Sequence, residues 1–398
     1  MRLDGRHDLG HLTYCTNIHP GESWPDMAAS LRRNVPAVKQ SIAPDQPMGL
    51  GLRIAAEAAD ALSAPAALDE LRAILSDTGT YVFTINGFPY GSFHGTRVKE
   101  NVYAPDWSTP ERLTYSNRLA ELLATLLPDD VDMGSVSTVP GTFKGWAEGR
   151  VDAIVDNLVR HAAFLFDLEQ RSGRFITLAL EPEPCCFLET IEETVRFFED
   201  RLFAESARRR LSDLTGLPDT RSEEVLRKHL GVCYDVCHAA VEYEDPKANF
   251  ETLAASGIAI PKLQLSSALR IPAMDVAAAD ALKPFEEPVY LHQVIERADS
   301  RLTRYVDLPE ALAQRDRALG REWRVHFHVP VFLRDLIAFS TTQGVLEEVI
   351  ALHREQPVSP HLEVETYTWD VLPDEYRGVD VSEAIARELS WVVGELTR

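Results

Sequence analysis

Phe175-Ile-Thr-Leu-Ala-Leu-Glu181 is the stretch whose reading decides the fold. Successive side chains of a strand point to opposite faces. Ile176, Leu178 and Leu180 therefore form one apolar face, and Thr177, Ala179 and Glu181 form another that ends in a carboxylate. A strand that is greasy toward one side and polar toward the other at its C-terminal end suits a barrel whose outside is covered by helices. The flanks agree: residues 150–171 and 187–201 carry helical periodicity, and Gly173 stands just before the strand, where a helix C-cap is expected.

Working outward, seven more short apolar runs rich in Val, Ile, Leu, Phe and Thr occur at 12–17, 80–86, 134–138, 231–236, 260–265, 323–328 and 361–365. Helical patterns lie between them at 51–76, 110–127, 331–350 and 381–397. Eight alternating units predict an α/β chain folded as a (β/α)8 TIM barrel, residues 1–398 forming one domain. An open doubly wound sheet produces a similar string, but its phosphate-binding GxGxxG is absent from the first turn, Asn17-Ile-His-Pro-Gly-Glu22. Two stretches are too long for ordinary connections. Residues 206–228 read as extra helix. Residues 266–322, a long insertion after the sixth run, contain two alternating runs at 288–294 and 301–306 with the pattern of a hairpin. Such an insertion follows a barrel strand and is expected over the C-terminal face, as a lid.

Charge narrows the partners. Lys and Arg number 40 against 62 Asp and Glu, a formal net charge of -22, so most of the surface repels a phosphate backbone and no nucleic-acid partner is expected. No apolar signal core begins the chain and no run of about 18 apolar residues occurs, so a cytoplasmic protein without membrane insertion is expected. Five cysteines without a secreted-framework spacing are expected to be reduced thiols. Cys233 and Cys237 have the spacing of half a zinc clip, but no second thiol pair accompanies them. The sequence leaves the oligomeric state open.

Sorting the other runs by face places Cys233 and Asp235, then Lys262, Gln264 and Ser266, then Arg324, His326 and His328, and finally Glu363 and Glu365 on the inward side. Each has an ordinary reading. Glu181 could be a salt-bridge partner or helix cap, Asp235 and His238 a strand end and helix start, His326 and His328 hydrogen-bonded core histidines, and Glu363 and Glu365 a solvated edge. Their coincidence in register on separate strands favours a metal-type pocket, because burying so many ionisable groups is costly unless a cation joins them.

Leu-Ala-Leu-Glu181-Pro, Tyr-Asp235-Val-Cys-His238, Lys-Leu-Gln264-Leu, His326-Phe-His328-Val-Pro and Glu-Val-Glu365-Thr resemble the strand motifs of the xylose isomerase-like barrel superfamily, which includes sugar isomerases, epimerases and endonuclease IV-type enzymes. With Cys-Thr-Asn-Ile-His19-Pro-Gly-Glu and Asn86-Gly-Phe-Pro-Tyr-Gly-Ser-Phe-His94-Gly, the chain resembles the EboE metabolite-traffic proteins. That family is encoded in bacterial clusters associated with moving or making a prenylated or polyol-like metabolite. The resemblance implies that Glu181 and Glu365 hold a divalent ion (Zn, Mn or Mg) and flank the substrate as acid and base. It implies that Asp235 is a ligand and that His238 contacts substrate or a second metal. A position commonly occupied by a ligand histidine is Gln264 here, a weaker metal ligand, so either His328 completes the set or the metal site is a weak one. Glu183, His326, His94, Lys144, His19 and Asn86 are further candidates for substrate contact, each with an equally good packing role. The expected activity is metal-dependent isomerisation or epimerisation of a small hydroxylated metabolite such as a sugar or polyol. The alternatives are a metabolite-binding carrier without turnover and, against the negative charge and Gln264, a phosphodiesterase.

Overall fold

The computed structural model describes residues 1–3, 9–95, 97–373 and 377–398. Eight parallel strands, β1 (His11–Tyr14), β2 (Met48–Arg53), β3 (Thr80–Asn86), β4 (Met133–Thr138), β5 (Phe175–Leu180), β6 (Leu230–Asp235), β7 (Lys262–Leu265) and a final strand (His361–Val364), run in the order β1, final strand, β7, β6, β5, β4, β3, β2. The seam between β1 and β2 is drawn together by a parallel bridge from Cys15 to Gly51. It is reinforced by Thr13, whose Oγ1 accepts from the Gly51 N–H at 2.8 Å and donates to the Gly49 carbonyl at 3.0 Å. The chain is a (β/α)8 barrel with helices outside. Ile176, Leu178 and Leu180 of β5 are all buried in the apolar core.

Between β7 and the last barrel strand lies a second sheet. It consists of β8 (Ala268–Ile271), β9 (Val294–Ala298), β10 (Arg301–Tyr305), β11 (Glu322–His328) and β12 (Ser340–Thr341), antiparallel in the order β10, β9, β11, β8, β12, so the last barrel strand is β13.

Two strand expectations are corrected by this pairing. The run at 323–328 is a strand, but it pairs with β8 and β9 rather than with barrel neighbours. The barrel strand it displaces is β2, whose first part precedes and whose second part overlaps the helix expected at 51–76. The helices there are Ala56–Ala61 and Pro65–Thr78. The inward positions of β2 are Gly49, Gly51 and Arg53, and two glycines on one face make a weak strand signal. They are needed for space: a Cβ on Gly51 would lie 1.7 Å from Glu363 Oε2, and one on Gly49 2.5 Å from the Phe83 ring. With β2 counted, the long insertion follows the seventh barrel strand rather than the sixth, and its sheet extends past residue 322 to Thr341.

The expected hairpin is also shifted. Its strands are β9 and β10, with Ala298 opposite Arg301, and the first expected run, 288–294, enters strand pairing only at Val294. The two-residue turn between them places Asp299 at φ 53°, a left-handed position that Asp tolerates. Residues 206–228 fall within two helices, Glu205–Thr215 and Asp219–His229, separated by Gly216 at φ 74°. Among the described residues, no helix is long and apolar enough to cross a membrane.

Candidate active site

Four of the barrel strands end in polar side chains that converge on its C-terminal mouth. Glu181 follows β5, Asp235 closes β6 and caps the next helix, Gln264 lies opposite Asp235 in β7, and Glu365 follows β13. All four are buried. Glu365 Oε1 accepts from Asn17 Nδ2 at 2.6 Å and from Asn86 Nδ2 at 3.0 Å. Asp235 Oδ1 accepts from Ser266 Oγ at 2.7 Å and from the His238 N–H at 3.0 Å. Deeper on the same face of β13, Glu363 meets the ammonium of Lys262 at 2.6 Å, both side chains fully buried.

Other polar atoms at the mouth lack partners. Glu181 Oε2, Asp235 Oδ2, both amide atoms of Gln264 and His328 Nε2 are buried without a hydrogen bond. A buried polar atom left unpaired costs about 1–3 kcal/mol, so several converging on one space call for an occupant. Burial, then the neighbouring Glu365 and Asp235 charges, hold the Glu181 carboxyl well above the usual range. Burial and the Asp235 and Glu363 charges do the same to Glu365. At Asp235 burial also pushes upward, but His238, His328 and the Ser266 hydroxyl outweigh it and hold the carboxyl below its ordinary value.

Three histidines complete the mouth, and their tautomers follow from their partners. His238 Nδ1 lies 2.9 Å from the Pro182 carbonyl, His328 Nδ1 2.9 Å from the Glu365 carbonyl and His326 Nδ1 2.7 Å from Gln293 Oε1. Gln293 Nε2 donates to the Pro184 carbonyl at 3.2 Å, which fixes Oε1 toward His326. An acceptor oxygen requires the hydrogen on Nδ1, so each Nε2 carries a lone pair. His238 Nε2 and His326 Nε2 then face each other at 3.1 Å. Two lone pairs at that separation repel unless a cation lies between them. Burial and the flanking histidines hold His326 well below its ordinary value, and burial brings His328 down to about 4, so both imidazoles offer neutral nitrogen at neutral pH.

Donor atoms within 4.8 Å of one another come from Glu181, Asp235 and Glu365, from Asp235, His238 and His328, and from Glu183, His238 and His326. Cys237 groups with His326 and His328, whereas Cys233 joins no such group, and all five cysteines are free. This mixed carboxylate and imidazole set, with its orphaned atoms, fits a divalent cation such as Zn, Mn or Mg.

The structure thus brings Glu181, Asp235, His238, Gln264, His326, His328, Glu365, Asn86 and Glu183 together. Glu183 accepts from the Tyr103 hydroxyl at 2.7 Å, and burial raises its carboxyl. Three expected contacts lie elsewhere, held by local partners. Lys144 pairs with Glu189 at 2.5 Å and Glu193 at 3.0 Å, at the rim. His19 meets the Tyr14 hydroxyl at 3.2 Å on the far side of the first turn. His94 sits behind the pocket wall, 2.6 Å from the Asn17 carbonyl. The residues that sequence reasoning missed are Asn17, which follows β1, and the aromatic side chains of irregular segments: Phe88, Phe93, Tyr103, Tyr290 and Tyr367. Asn17 stood at the C-terminal end of the first predicted run, the same position that singled out Glu181. The aromatic residues had no comparable signal.

These rings roof a cavity of about 40 Å³ over the carboxylates, room for a few water molecules. Phe93, Tyr290 and Tyr367 pack on one another with centroids 5.0–5.3 Å apart. The insertion supplies Tyr290 and Leu291 to the roof and His326 to the wall. It is clasped to the segment after β3 by Lys99, whose ammonium reaches Asp307 at 2.7 Å and the Tyr290 carbonyl at 2.6 Å.

No family model and no curated protein matches this chain. Among solved structures it is similar to the probable 3-DHS dehydratase AsbF involved in petrobactin synthesis from Bacillus anthracis, with 13% identity, 96% of this chain and 97% of that chain covered and a TM-score of 0.46. It is also similar to 3-keto-D-glucoside 4-epimerase YcjR from E. coli, with 12% identity, 96% and 98% covered and a TM-score of 0.45. A third is the IOLI protein with a binding zinc atom, at 14% identity, 97% of each chain covered and a TM-score of 0.44. At these scores the fold assignment rests on the strand order and pairing of the chain itself.

Proposed function

We propose that this protein is a metal-dependent isomerase or epimerase acting on a small hydroxylated metabolite of the sugar or polyol kind. The observation that carries the reading is that Glu181, Asp235 and His328, each with an unpartnered buried atom, fall in two overlapping donor groups, Glu181 with Asp235 and Glu365 and Asp235 with His238 and His328, whose donor atoms lie within 4.8 Å of one another. Glu181, Asp235, Glu365 and His328 would hold the ion, with the Gln264 amide oxygen beside them as a weaker donor. When bound, a divalent ion supplies Lewis-acid polarisation of a carbonyl and stabilises charge that develops on its oxygen.

The chain's own groups account for proton movement. Glu181 keeps one oxygen without a partner, and burial raises the proton affinity of its carboxyl, which suits it to take a proton from a carbon acid. Glu365 stands on a separate strand, oriented by Asn17 and Asn86 through a single oxygen, which leaves the other for the second half of the transfer. Glu183, tied to Tyr103, is placed to receive a substrate hydroxyl. The aromatic roof excludes water from a carbanion-like intermediate.

Elemental analysis of the purified protein and of Glu181→Gln tests the centre: the wild type carries zinc or manganese and the variant loses it. Full metal content in Glu181→Gln overturns the assignment. Incorporation of solvent deuterium beside the carbonyl of a bound ketose tests the chemistry. A second reading, a metabolite-binding or carrier barrel without turnover and the one that agrees with a metabolite-traffic role, is favoured by Gln264, a weaker ligand than the imidazole implied there. Binding of a metabolite with no exchange or conversion would select it.

A further inference from the structure

We propose that the ligand of this pocket is an uncharged ring compound with hydroxyls on one edge and an apolar face, and that the pocket rejects phosphate esters and carboxylates. The inference deepens, and rests on, the reading of the mouth as a metabolite site.

Charge is the first argument. The mouth holds four buried carboxylates, Glu181, Glu183, Asp235 and Glu365. Among the described residues lining the cavity, Lys99 is the sole lysine or arginine, and its ammonium is already taken by Asp307 and by the carbonyls of Tyr290 and Glu287. The nearby buried cations are equally committed. Lys262 faces Glu363, while both terminal nitrogens of Arg53 are held by Glu22 and by the carbonyls of Pro89 and Gly91, and Arg53, whose Nε alone has no partner, does not line the cavity. Recognition of a phosphate or carboxylate calls for a free guanidinium, ammonium or cluster of N–H donors. With Glu181, Asp235 and Glu365 ionised around a divalent ion, their charge exceeds that of the ion, so a ligand that brings another anion meets repulsion in a place where water screens poorly.

The roof is the second argument, and it is independent of charge. Two of its phenols are already bonded: Tyr103 donates to Glu183, and the Tyr290 hydroxyl lies 3.3 Å from His94 Nδ1. The rings of Phe88, Phe93, Tyr290 and Tyr367 therefore offer hydrocarbon, opposite a floor of acceptors. A ring with hydroxyls below and C–H groups or an apolar substituent above satisfies both surfaces.

The test is titration calorimetry on the manganese-loaded full chain with matched compounds: glucose, phenyl β-D-glucoside, glucose 6-phosphate and glucuronate, and inositol with its monophosphate. The expected order has phenyl glucoside about tenfold tighter than glucose, and every charged compound at least about tenfold weaker than its neutral partner. Tyr367→Ala should remove the phenyl advantage with the metal content unchanged. A phosphate or carboxylate that binds as tightly as its neutral partner overturns the proposal. So does a failure of every neutral compound to bind. In that case full manganese content in the same sample shows that the reading of the centre survives, whereas missing metal shows that the reading itself has failed.

Discussion

Glu363 and Glu365 stand two residues apart on the same face of β13, and the barrel treats them in opposite ways. The deeper one is matched by a built-in cation, Lys262, whose ammonium is held in its charged form against the cost of burial chiefly by the Glu363 carboxylate. The outer one, with Glu181 and Asp235 beside it, is given amide and hydroxyl donors, and among the described residues no lysine or arginine pairs with any of the three. The interior carboxylate has a cation of its own, although its second oxygen has no hydrogen-bond partner, whereas the mouth carboxylates have none and a bound ion would supply it. Burial alone therefore does not distinguish a structural carboxylate from a functional one. Its partner does.

The comparison can be broken from either end. The largest effect is expected inside: Lys262→Met strands Glu363 and should cost about 3–5 kcal/mol in urea unfolding, while Lys262→Met with Glu363→Leu recovers most of it. A loss below about 1 kcal/mol would mean that the two carboxylates are not differently provided for. At the mouth, zinc or manganese at a hundredfold excess over its dissociation constant should add about 2.7 kcal/mol to stability, a gain that chelator reverses and Glu181→Gln lacks. Gly51→Ala drives a Cβ against Glu363 and within 2.9 Å of the Tyr14 carbonyl, and should cost about 1–3 kcal/mol without changing metal content.

The smallest effect is in the pH dependence. Glu181 and Glu365 titrate above their ordinary value of 4.5 in the folded, metal-free protein. Folding then favours their protonated forms, so this contribution is complete below about pH 4.5 and lost as pH rises through the raised values. Asp235, depressed below 3.8, works in the other direction and only in stronger acid. Stability of the metal-free protein should therefore fall as pH rises above about 4.5, and the slope should flatten in Glu181→Gln. A slope unchanged by that substitution would place its cause outside the mouth.

The parts of this arrangement legible in the sequence were those that alternation reports. Inward and outward faces of β5, β6, β7 and β13 follow from period two, and with them the meeting of Glu181, Asp235, Gln264 and Glu365. Alternation says nothing about which strand lies alongside. That is why Glu322–His328 could be read as a strand with His326 and His328 on one face while its sheet was misassigned, and why both imidazoles still reach the mouth from an antiparallel neighbour. Met48–Arg53 was hidden for the opposite reason, since its inner face consists largely of absent side chains. Lys144, His19 and His94 looked like site residues because they are polar and follow strands, but their neighbours satisfy them first. Tyr103 and Tyr367 lie in segments with no period, and Tyr290 in a run whose alternation reports a strand rather than a site, so only the folded chain shows what they cover.

The size of the roofed cavity has a kinetic consequence. About 40 Å³ holds a few water molecules, so a sugar ring is admitted only when the rings of the roof part. Arrival is then timed by the frequency of that opening rather than by diffusion. The observed rate of association should level off at high ligand concentration.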